Sequence, residues 1–277
     1  MTNIYASALV VKYGGNAMAG ALTEADPILT EVRSLRQSGH AIVIVHGGGP
    51  EIDAALAQRG IVTQRVDGMR VTDAATLETT EAVLCGSVNK RIVRQCLALG
   101  LPAVGISGED GGMLVAERLR PPNRADLGYV GSIARTDIRL IQTLLAADFV
   151  PIVAPLAVTA DALHAYNVNA DLAAGAIAVA LKANALILVT NVPRVLRDPD
   201  DPGSGIGHFT PEEALCFAAG EACRSSMKPK LQAAANAANA GVTATYICAF
   251  KQNAVASAMS GDATLVSKKC AALPEPF

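Results

Sequence analysis

The chain has 277 residues, 51% apolar and 17% charged, with no Trp, so it can bury one large core and is neither a disordered nor a fibrous sequence. Its 23 Lys plus Arg nearly cancel 25 Asp plus Glu, for a net charge of -2, which is not the balance of a nucleic-acid binder and favours a small polar ligand. The six cysteines (Cys85, Cys96, Cys216, Cys223, Cys248, Cys270) show neither C-x-x-C nor zinc spacing, and no secretory segment precedes them. They are expected to be reduced thiols of a cytoplasmic protein.

Short β-branched runs alternate with helical patterns, which predicts an α/β fold of parallel strands joined by helical crossovers. Ala8 to Val11 is the first strand; Ile28, Leu29, Val32 and Leu35 then share a helical face that stops near Gly39, and Ala41 to Val45 is the next strand. Ile52 and Leu56 mark a helix closed by Gly60. Leu77, Leu84, Val88, Ile92 and Cys96 mark a longer one, from about Asp73 to Leu99, suited to a contact surface. Leu101 to Ile106 reads as a buried strand. Met113 to Leu119 and Leu127 to Ile133 read as a hairpin about the polar Pro121 to Asp126 loop, with Arg118, Arg120 and Arg124 on a solvated face.

Farther on come a helix near Thr136 to Ala147, a strand at Phe149 to Ala154, a second hairpin around Asp161, a helix at Ala170 to Leu181 and a strand at Leu186 to Thr190. The apolar run Leu172 to Val189 is therefore a helix followed by a strand, because Lys182 and Asn184 interrupt it before it could span a membrane. Asp198 to Gly207 is dense in turn residues and is expected to be a mobile surface loop. Helices at Pro211 to Gly220 and Pro229 to Gly241 and a strand at Thr243 to Cys248 follow, and a lobe boundary falls near residue 180.

Three glycine clusters stand at predicted strand ends: Lys12-Tyr13-Gly14-Gly15-Asn16, His46-Gly47-Gly48-Gly49-Pro50 and Gly105 through Gly112. Open α/β sheets bind ligands along that edge. Glycine lets backbone N–H groups approach an anion, and a following helix N-terminus adds positive potential. Phosphate or carboxylate is the implied ligand, although any one cluster alone fits an ordinary strand-to-helix turn. Neither G-x-x-x-x-G-K-[ST] nor G-x-G-x-x-G occurs, which disfavours a P-loop or Rossmann site. Lys12, at a strand end beside Gly14 and Gly15, is a cation that a phosphate would explain. There is no Ser-His-Asp or Cys-His constellation, and His46 is expected to tie down its glycine loop rather than to act as a base.

In order along the chain, Val10-Val11-Lys12-Tyr13-Gly14-Gly15-Asn16-Ala17-Met18, His46-Gly47-Gly48-Gly49-Pro50, Gly68-Met69-Arg70-Val71-Thr72, Asn167-Val168-Asn169-Ala170-Asp171 and Met227-Lys228-Pro229-Lys230 resemble the motifs of the amino acid kinase family, in its branch that phosphorylates N-acetyl-L-glutamate. The resemblance spans nearly the whole chain. It implies a three-layer αβα sandwich with a mostly parallel central sheet. Residues 1–180 would form an N-terminal lobe for the acyl amino acid and dimerisation, and 181–277 a C-terminal lobe for ATP. It also implies transfer of phosphoryl from MgATP to the side-chain carboxylate of N-acetyl-L-glutamate, an arginine-biosynthesis step that yields an acyl phosphate. Such a carboxylate, with a pKa of about 4.3, is already ionised and needs no general base.

By this match Lys12 contacts the transferring phosphoryl group, Lys230 the nucleotide side of the transition state, and Asp171 holds the two ammonium groups. Gly14, Gly15, Thr190, Asn191 and Met227 would face the nucleotide. Gly47, Gly48 and Gly49 would donate to substrate and phosphate, Arg70 would clamp the substrate's α-carboxylate, and Asn167 would hydrogen-bond the acetylamino acid. No protein site for a metal is expected; Mg²⁺ would be bound through ATP. Without the motifs, Lys230 reads equally as a solvated residue, Asp171 as a helix cap and Arg70 as half of a surface ion pair.

The departures from the family pattern cluster on the nucleotide side. Thr-Asp-Val-Pro-Gly reads Thr190-Asn191-Val192-Pro193-Arg194, Gly-Gly-Met reads Ser225-Ser226-Met227, and Ser-Gly-Lys-Asp-Gly carries Glu109 in place of Lys. About seven residues precede the first strand, whereas arginine-inhibited, hexameric members of the family carry an extra N-terminal helix. The expectation is a homodimer built partly on the helix from Asp73 to Leu99, with weak or no inhibition by arginine. Two other readings compete: a kinase of a carrier-linked aminoadipate or glutamate, and a non-catalytic acyl-amino-acid sensor with a degenerate ATP site. Intact Lys12, Asp171 and Lys230 favour the free-substrate kinase.

Overall fold

A computed structural model describes residues 8–14, 26–66, 68–121 and 125–268; Gly15, Arg124 and Cys270 lie outside them. In chain order the elements begin with β1 (Leu9–Tyr13), α1 (Pro27–Gln37), β2 (Ile42–His46), α2 (Gly49–Gln58), β3 (Arg65–Val66), β4 (Met69–Arg70), α3 (Ala74–Glu81) and α4 (Asn89–Ala98). They continue with β5 (Ala103–Ser107), β6 (Leu114–Arg118), β7 (Gly131–Thr136), α5 (Arg139–Ala146), β8 (Val150–Ala154), β9 (Leu156–Val158), β10 (Ala165–Asn167) and α6 (Ala170–Leu181). The last are β11 (Ala185–Thr190), β12 (Val195–Leu196), β13 (Gly205–Ile206), β14 (His208–Phe209), α7 (Pro211–Ala219), α8 (Lys228–Asn239), β15 (Ala244–Ala249), α9 (Ala254–Met259) and β16 (Thr264–Val266).

The central sheet has eight strands in the order β14-β16-β15-β11-β1-β2-β8-β5. Six are mutually parallel, while β16 runs antiparallel to β15 and parallel to β14. Because successive strand residues point to opposite faces, Leu9 and Val11 join one apolar cluster and Val10 the other. The cluster containing Leu9 packs under α1, α2, α4 and α9, and the one containing Val10 under α5 to α8. This is the expected three-layer sandwich. A second, four-stranded sheet in the order β10-β9-β6-β7 stands beside it and carries Asn167 at the end of β10.

Several boundaries follow from local chemistry. Asp26 caps α1 by accepting from the N–H groups of Ile28 and Leu29, and Thr210 with Glu213 forms a reciprocal capping box on α7. The long helix expected from Asp73 to Leu99 forms, capped by Asp73 onto Thr76 N–H, but its middle, Ala82–Val88, widens into a π-helical segment. Lys182 ends α6 in the left-handed conformation, φ 52°, and so separates that helix from β11 within the apolar run.

Three expectations shift. The second strand of the first hairpin is Gly131–Thr136 rather than Leu127 to Ile133, because it continues along β6 to pair Leu114 with Thr136. The next helix consequently begins at Arg139. The 198–207 loop is closed at its base by β12 and β13, paired Val195 with Ile206. The C-terminal α9 and β16 went unforeseen: α9 has only 6 residues, too few to show a period, and follows Asn253 at φ 56°. Among the described residues Cys96, Cys223 and Cys248 are buried and Cys216 is exposed; these and Cys85 are free thiols.

Glu31 on α1 compensates for the missing local cap of α9. It is 6% exposed, and its two carboxylate oxygens accept from Val255 N–H at 2.9 Å and Ala256 N–H at 2.7 Å. A helix near the start of the chain therefore fixes one near its end. We expect Glu31→Ala to lower unfolding free energy by about 2 kcal/mol, with Glu31→Gln recovering part of it by capping one N–H. Urea denaturation of the three proteins checks this, and equal midpoints would contradict it.

Candidate active site

The strands β11, β1 and β2 lie side by side and parallel, in register Leu188 to Lys12 to Val45, so their C-terminal ends open on one edge. Lys12 is the next-to-last residue of β1 and only 6% exposed. Beside it Asn169 caps α6, its side-chain oxygen accepting from Asp171 N–H at 2.9 Å and Leu172 N–H at 3.2 Å. This cap sets Asp171 in the first turn of α6, 4% exposed. Pro229 in the first turn of α8 starts that helix just before Lys230.

These three elements converge. Asp171 Oδ1 lies 3.1 Å from Lys12 Nζ, and Asp171 Oδ2 accepts from Lys230 Nζ at 3.0 Å. Burial opposes ionisation of Asp171, but the charges of Lys12 and Lys230 outweigh it and hold the carboxyl below its ordinary value. Burial also lowers Lys12; Asp171 opposes that shift and Lys230 adds to it, leaving the ammonium below its ordinary value. With both lysines protonated the triad carries one excess positive charge in a site shielded from water. That is an anion-receiving arrangement. The structure thus brings the three predicted catalytic side chains together, and Asn169, not Asp171, takes the capping role.

Two of the glycines are tightly packed. A Cβ on Gly14 would come to 3.1 Å from Lys12 Nζ and 3.2 Å from Gly47 N, so a side chain there would push the ammonium aside. At Gly48, just before α2, a Cβ would come to 2.7 Å from Leu84 Cδ2. The β2 turn is held by His46, fully buried. Its Nδ1 donates to Gly47 O at 2.8 Å, which leaves Nε2 to accept from Asn89 Nδ2 at 3.2 Å. Burial pushes its pKa down to about 4, so the ring is neutral and structural, as expected. Asn89 was not singled out in the sequence; its polar amide inside an apolar helical stretch was the available signal.

Arg70 on β4 is 7% exposed, and its Nη2 donates to Gly49 O at 3.4 Å. Thr72 Oγ1 donates to Arg70 O at 3.0 Å and accepts from Asn167 Nδ2 at 3.4 Å. Gly49, Arg70 and Asn167 are thereby gathered around one patch. Arg70 is not the surface ion pair of the bland alternative: it is buried, and its carboxylate partner is Asp53 of α2.

On the nucleotide side, Thr190 ends β11 and bonds Asn191 Oδ1 at 3.3 Å. Met227 lines an apolar cleft with Val192, Val195, Leu196, Phe217 and Cys223. The departures have visible consequences. Arg194 Nη2 donates to Gly261 O at 2.7 Å, so this cation is tied to the loop before β16. Glu109 stands half-buried at the end of β5, where burial and neighbouring Glu81 push its carboxyl up to about 6. Among the described residues no group of three His, Cys, Asp or Glu side chains could hold a metal ion, and no helix is long and apolar enough to cross a membrane.

A parallel αβα sheet whose open edge carries two lysines, a shared aspartate and glycine turns defines a kinase-type anion site. The model of the amino acid kinase family matches residues 7–249, and the chain belongs to that family. It is 41% identical over 244 residues to the acetylglutamate kinase of Symbiobacterium thermophilum, covering 86% of this chain and 83% of that protein. To the acetylglutamate kinase of Brevibacillus brevis it is 42% identical over 241 residues, covering 87% and 88%. The solved structure of smu.665 from Streptococcus mutans UA159 is similar with a TM-score of 0.79 at 26% identity, covering 95% of this chain and 99% of that one.

The neutrality of His46 makes stability depend on pH in a defined direction. Its folded pKa of about 4 lies below the unfolded value of about 6.5, so the unfolded chain takes the proton first and stability is lost as pH falls through that window. A His46→Asn variant, less stable than the parent at pH 7, should close the gap by about 2 to 3 kcal/mol on going to pH 4. Urea midpoints at both pH values measure it; a gap that stays constant would show that burial does not hold His46 neutral.

Proposed function

We propose that this protein transfers the γ-phosphoryl group of MgATP to the side-chain carboxylate of N-acetyl-L-glutamate, forming N-acetyl-L-glutamyl 5-phosphate and ADP, a step of arginine biosynthesis. The observation that carries the reading is the triad at the sheet edge in which the buried Lys12 and Asp171 meet the partly buried Lys230. The names of the relatives favour the free acetylated amino acid over a carrier-linked one.

In this reading a carboxylate oxygen attacks the γ-phosphorus in line, the bond to the β-bridging oxygen breaks, and ADP leaves with that electron pair. No proton moves, because the attacking carboxylate is already ionised. Lys12 stabilises charge on the transferring oxygens and Lys230 on the leaving side. Asp171 keeps both aimed, so that little reorganisation is needed when charge develops. Gly14 and Gly15, with Gly47 to Gly49, present backbone donors, and Arg70 and Asn167 fix the substrate. Thr190, Asn191 and Met227 border the nucleotide, whose adenine suits the apolar cleft beside Met227. A divalent cation would be held mainly through the nucleotide phosphates, whose charge it would lessen. Residues 1–180 supply the acyl-amino-acid lobe and 181–277 the ATP lobe, in a cytoplasmic enzyme.

The assay is acyl-phosphate formation trapped with hydroxylamine. N-acetyl-L-glutamate should react in an ATP- and Mg²⁺-dependent manner, and L-glutamate and N-acetyl-aminoadipate poorly. Lys12→Ala and Asp171→Asn should each cut kcat by about 10²- to 10³-fold. Equal turnover of all the acids, or full activity of Lys12→Ala, would refute this assignment.

The proposed assembly is a homodimer using the long helix, whose exposed residues include Ala75, Ala82, Gly86 and the 54% exposed Leu97. Light scattering should give twice the 28.4 kDa chain mass, and Leu97→Glu should shift it towards the monomer. A monomeric or hexameric parent would exclude it.

A further inference from the structure

The hairpin β3–β4 places Arg65 opposite Arg70, and both arginines reach the same residue of α2. Arg70 Nη1 pairs with Asp53 Oδ1, and Arg65 Nη2 donates to Asp53 Oδ2 at 2.9 Å and to Oδ1 at 3.3 Å. Arg65 Nη1 also lies 3.4 Å from Gly68 O. Asp53 sits one turn after Gly49, whose carbonyl takes the other end of the Arg70 guanidinium. Arg70 is thus oriented from two points of a single helix. The geometry is a second cation–carboxylate–cation unit beside Lys12–Asp171–Lys230, with a difference in burial: the Arg70 side chain is 6% exposed, while those of Arg65 and Asp53 are 47% and 46% exposed.

An acidic side chain next to a carboxylate-binding arginine raises an electrostatic difficulty. Asp53 holds the guanidinium in place, but its own charge faces the incoming anion and would weaken its binding. Burial would raise the Asp53 pKa; the hydrogen bond and charge of Arg70, with Arg65 behind them, instead hold it below the ordinary value, so the carboxylate is ionised at neutral pH. Arg65 resolves the difficulty by restoring one net positive charge to the three groups.

We propose that Asp53 is a positioning residue for Arg70 and that Arg65 offsets the charge of Asp53, together setting the affinity for the α-carboxylate of the acylated amino acid. This rests on the substrate reading above and extends it to two residues outside the recognised motifs. Arg65 acts by charge at half-exposed range, so its contribution weakens with salt.

The test is a double-mutant cycle read by KM for N-acetyl-L-glutamate, and in parallel by its Kd from calorimetry, which does not need turnover. Asp53→Ala should raise both about tenfold, and Asp53→Asn, which keeps an acceptor for Arg70, by no more than about twofold. Arg65→Gln should raise them about fivefold in the parent at low salt, but by a clearly smaller factor in the Asp53→Asn background, where a neutral amide no longer anchors Arg65 beside Arg70. The KM for ATP should not move. N-acetyl-L-isoglutamine, with a carboxamide in place of the α-carboxylate, should bind the parent and Arg65→Gln alike. An Arg65→Gln effect of equal size in both backgrounds, or equal for the carboxamide, would overturn the inference while leaving the kinase reading intact. A parent that binds N-acetyl-L-glutamate with these ratios but forms no acyl phosphate would overturn the kinase reading and leave the inference standing. Absence of binding would overturn both.

Discussion

The site depends on one carboxylate placed between two ammonium groups. The buried Lys12 would lose its proton more readily without a counter-charge, and a buried aspartate without the lysines would take up a proton. Asp171 therefore favours the charged form of Lys12, and the two lysines favour the ionised form of Asp171. Each comes from a different part of the chain, on β1, α6 and α8. The triad exists only when the sandwich is assembled.

The fold supplies what a carboxylate-phosphorylating enzyme needs. Parallel strands bring several C-terminal ends to one edge, where glycine turns present backbone donors and helix starts add positive potential. Gly48 marks where packing leaves no room for a side chain, and a Cβ at Gly14 would crowd the Lys12 ammonium. The neutral, buried His46 braces one turn rather than taking part in proton transfer. Because the acceptor is already an anion, the chemistry is one of positioning and charge, and the conspicuous devices of the site are ionic: the lysine triad and the Arg65–Asp53–Arg70 unit.

Much of this was legible in the linear chain. The alternation of β-branched runs with amphipathic helices located most strands of the central sheet, and lysine and glycine at strand ends pointed to phosphate. Local rules failed where neighbours decide. The extension of β7 to Thr136 depends on its pairing with β6, and the 6-residue α9 is held by Glu31, a residue 224 positions away from Val255 in sequence. Arg194 looked like a cation gained by the nucleotide loop, yet it bonds the carbonyl of Gly261. Asp53 and Arg65 left no trace at all, because each reads as an ordinary polar residue of a helix or a turn until the hairpin docks on α2.

The sequence by itself determined the class of fold, the glycine turns at the strand ends and the residue types available for phosphoryl transfer, because periodicity and backbone permissiveness are local properties of neighbouring residues. The family motifs already set Asp171 between Lys12 and Lys230; only the tertiary structure decided that Asn169 takes the cap and that Asp53 faces two arginines. Charge pairing depends on distances of about 3 Å between side chains far apart in the chain, and those distances are set by strand order and helix docking, which no local pattern encodes.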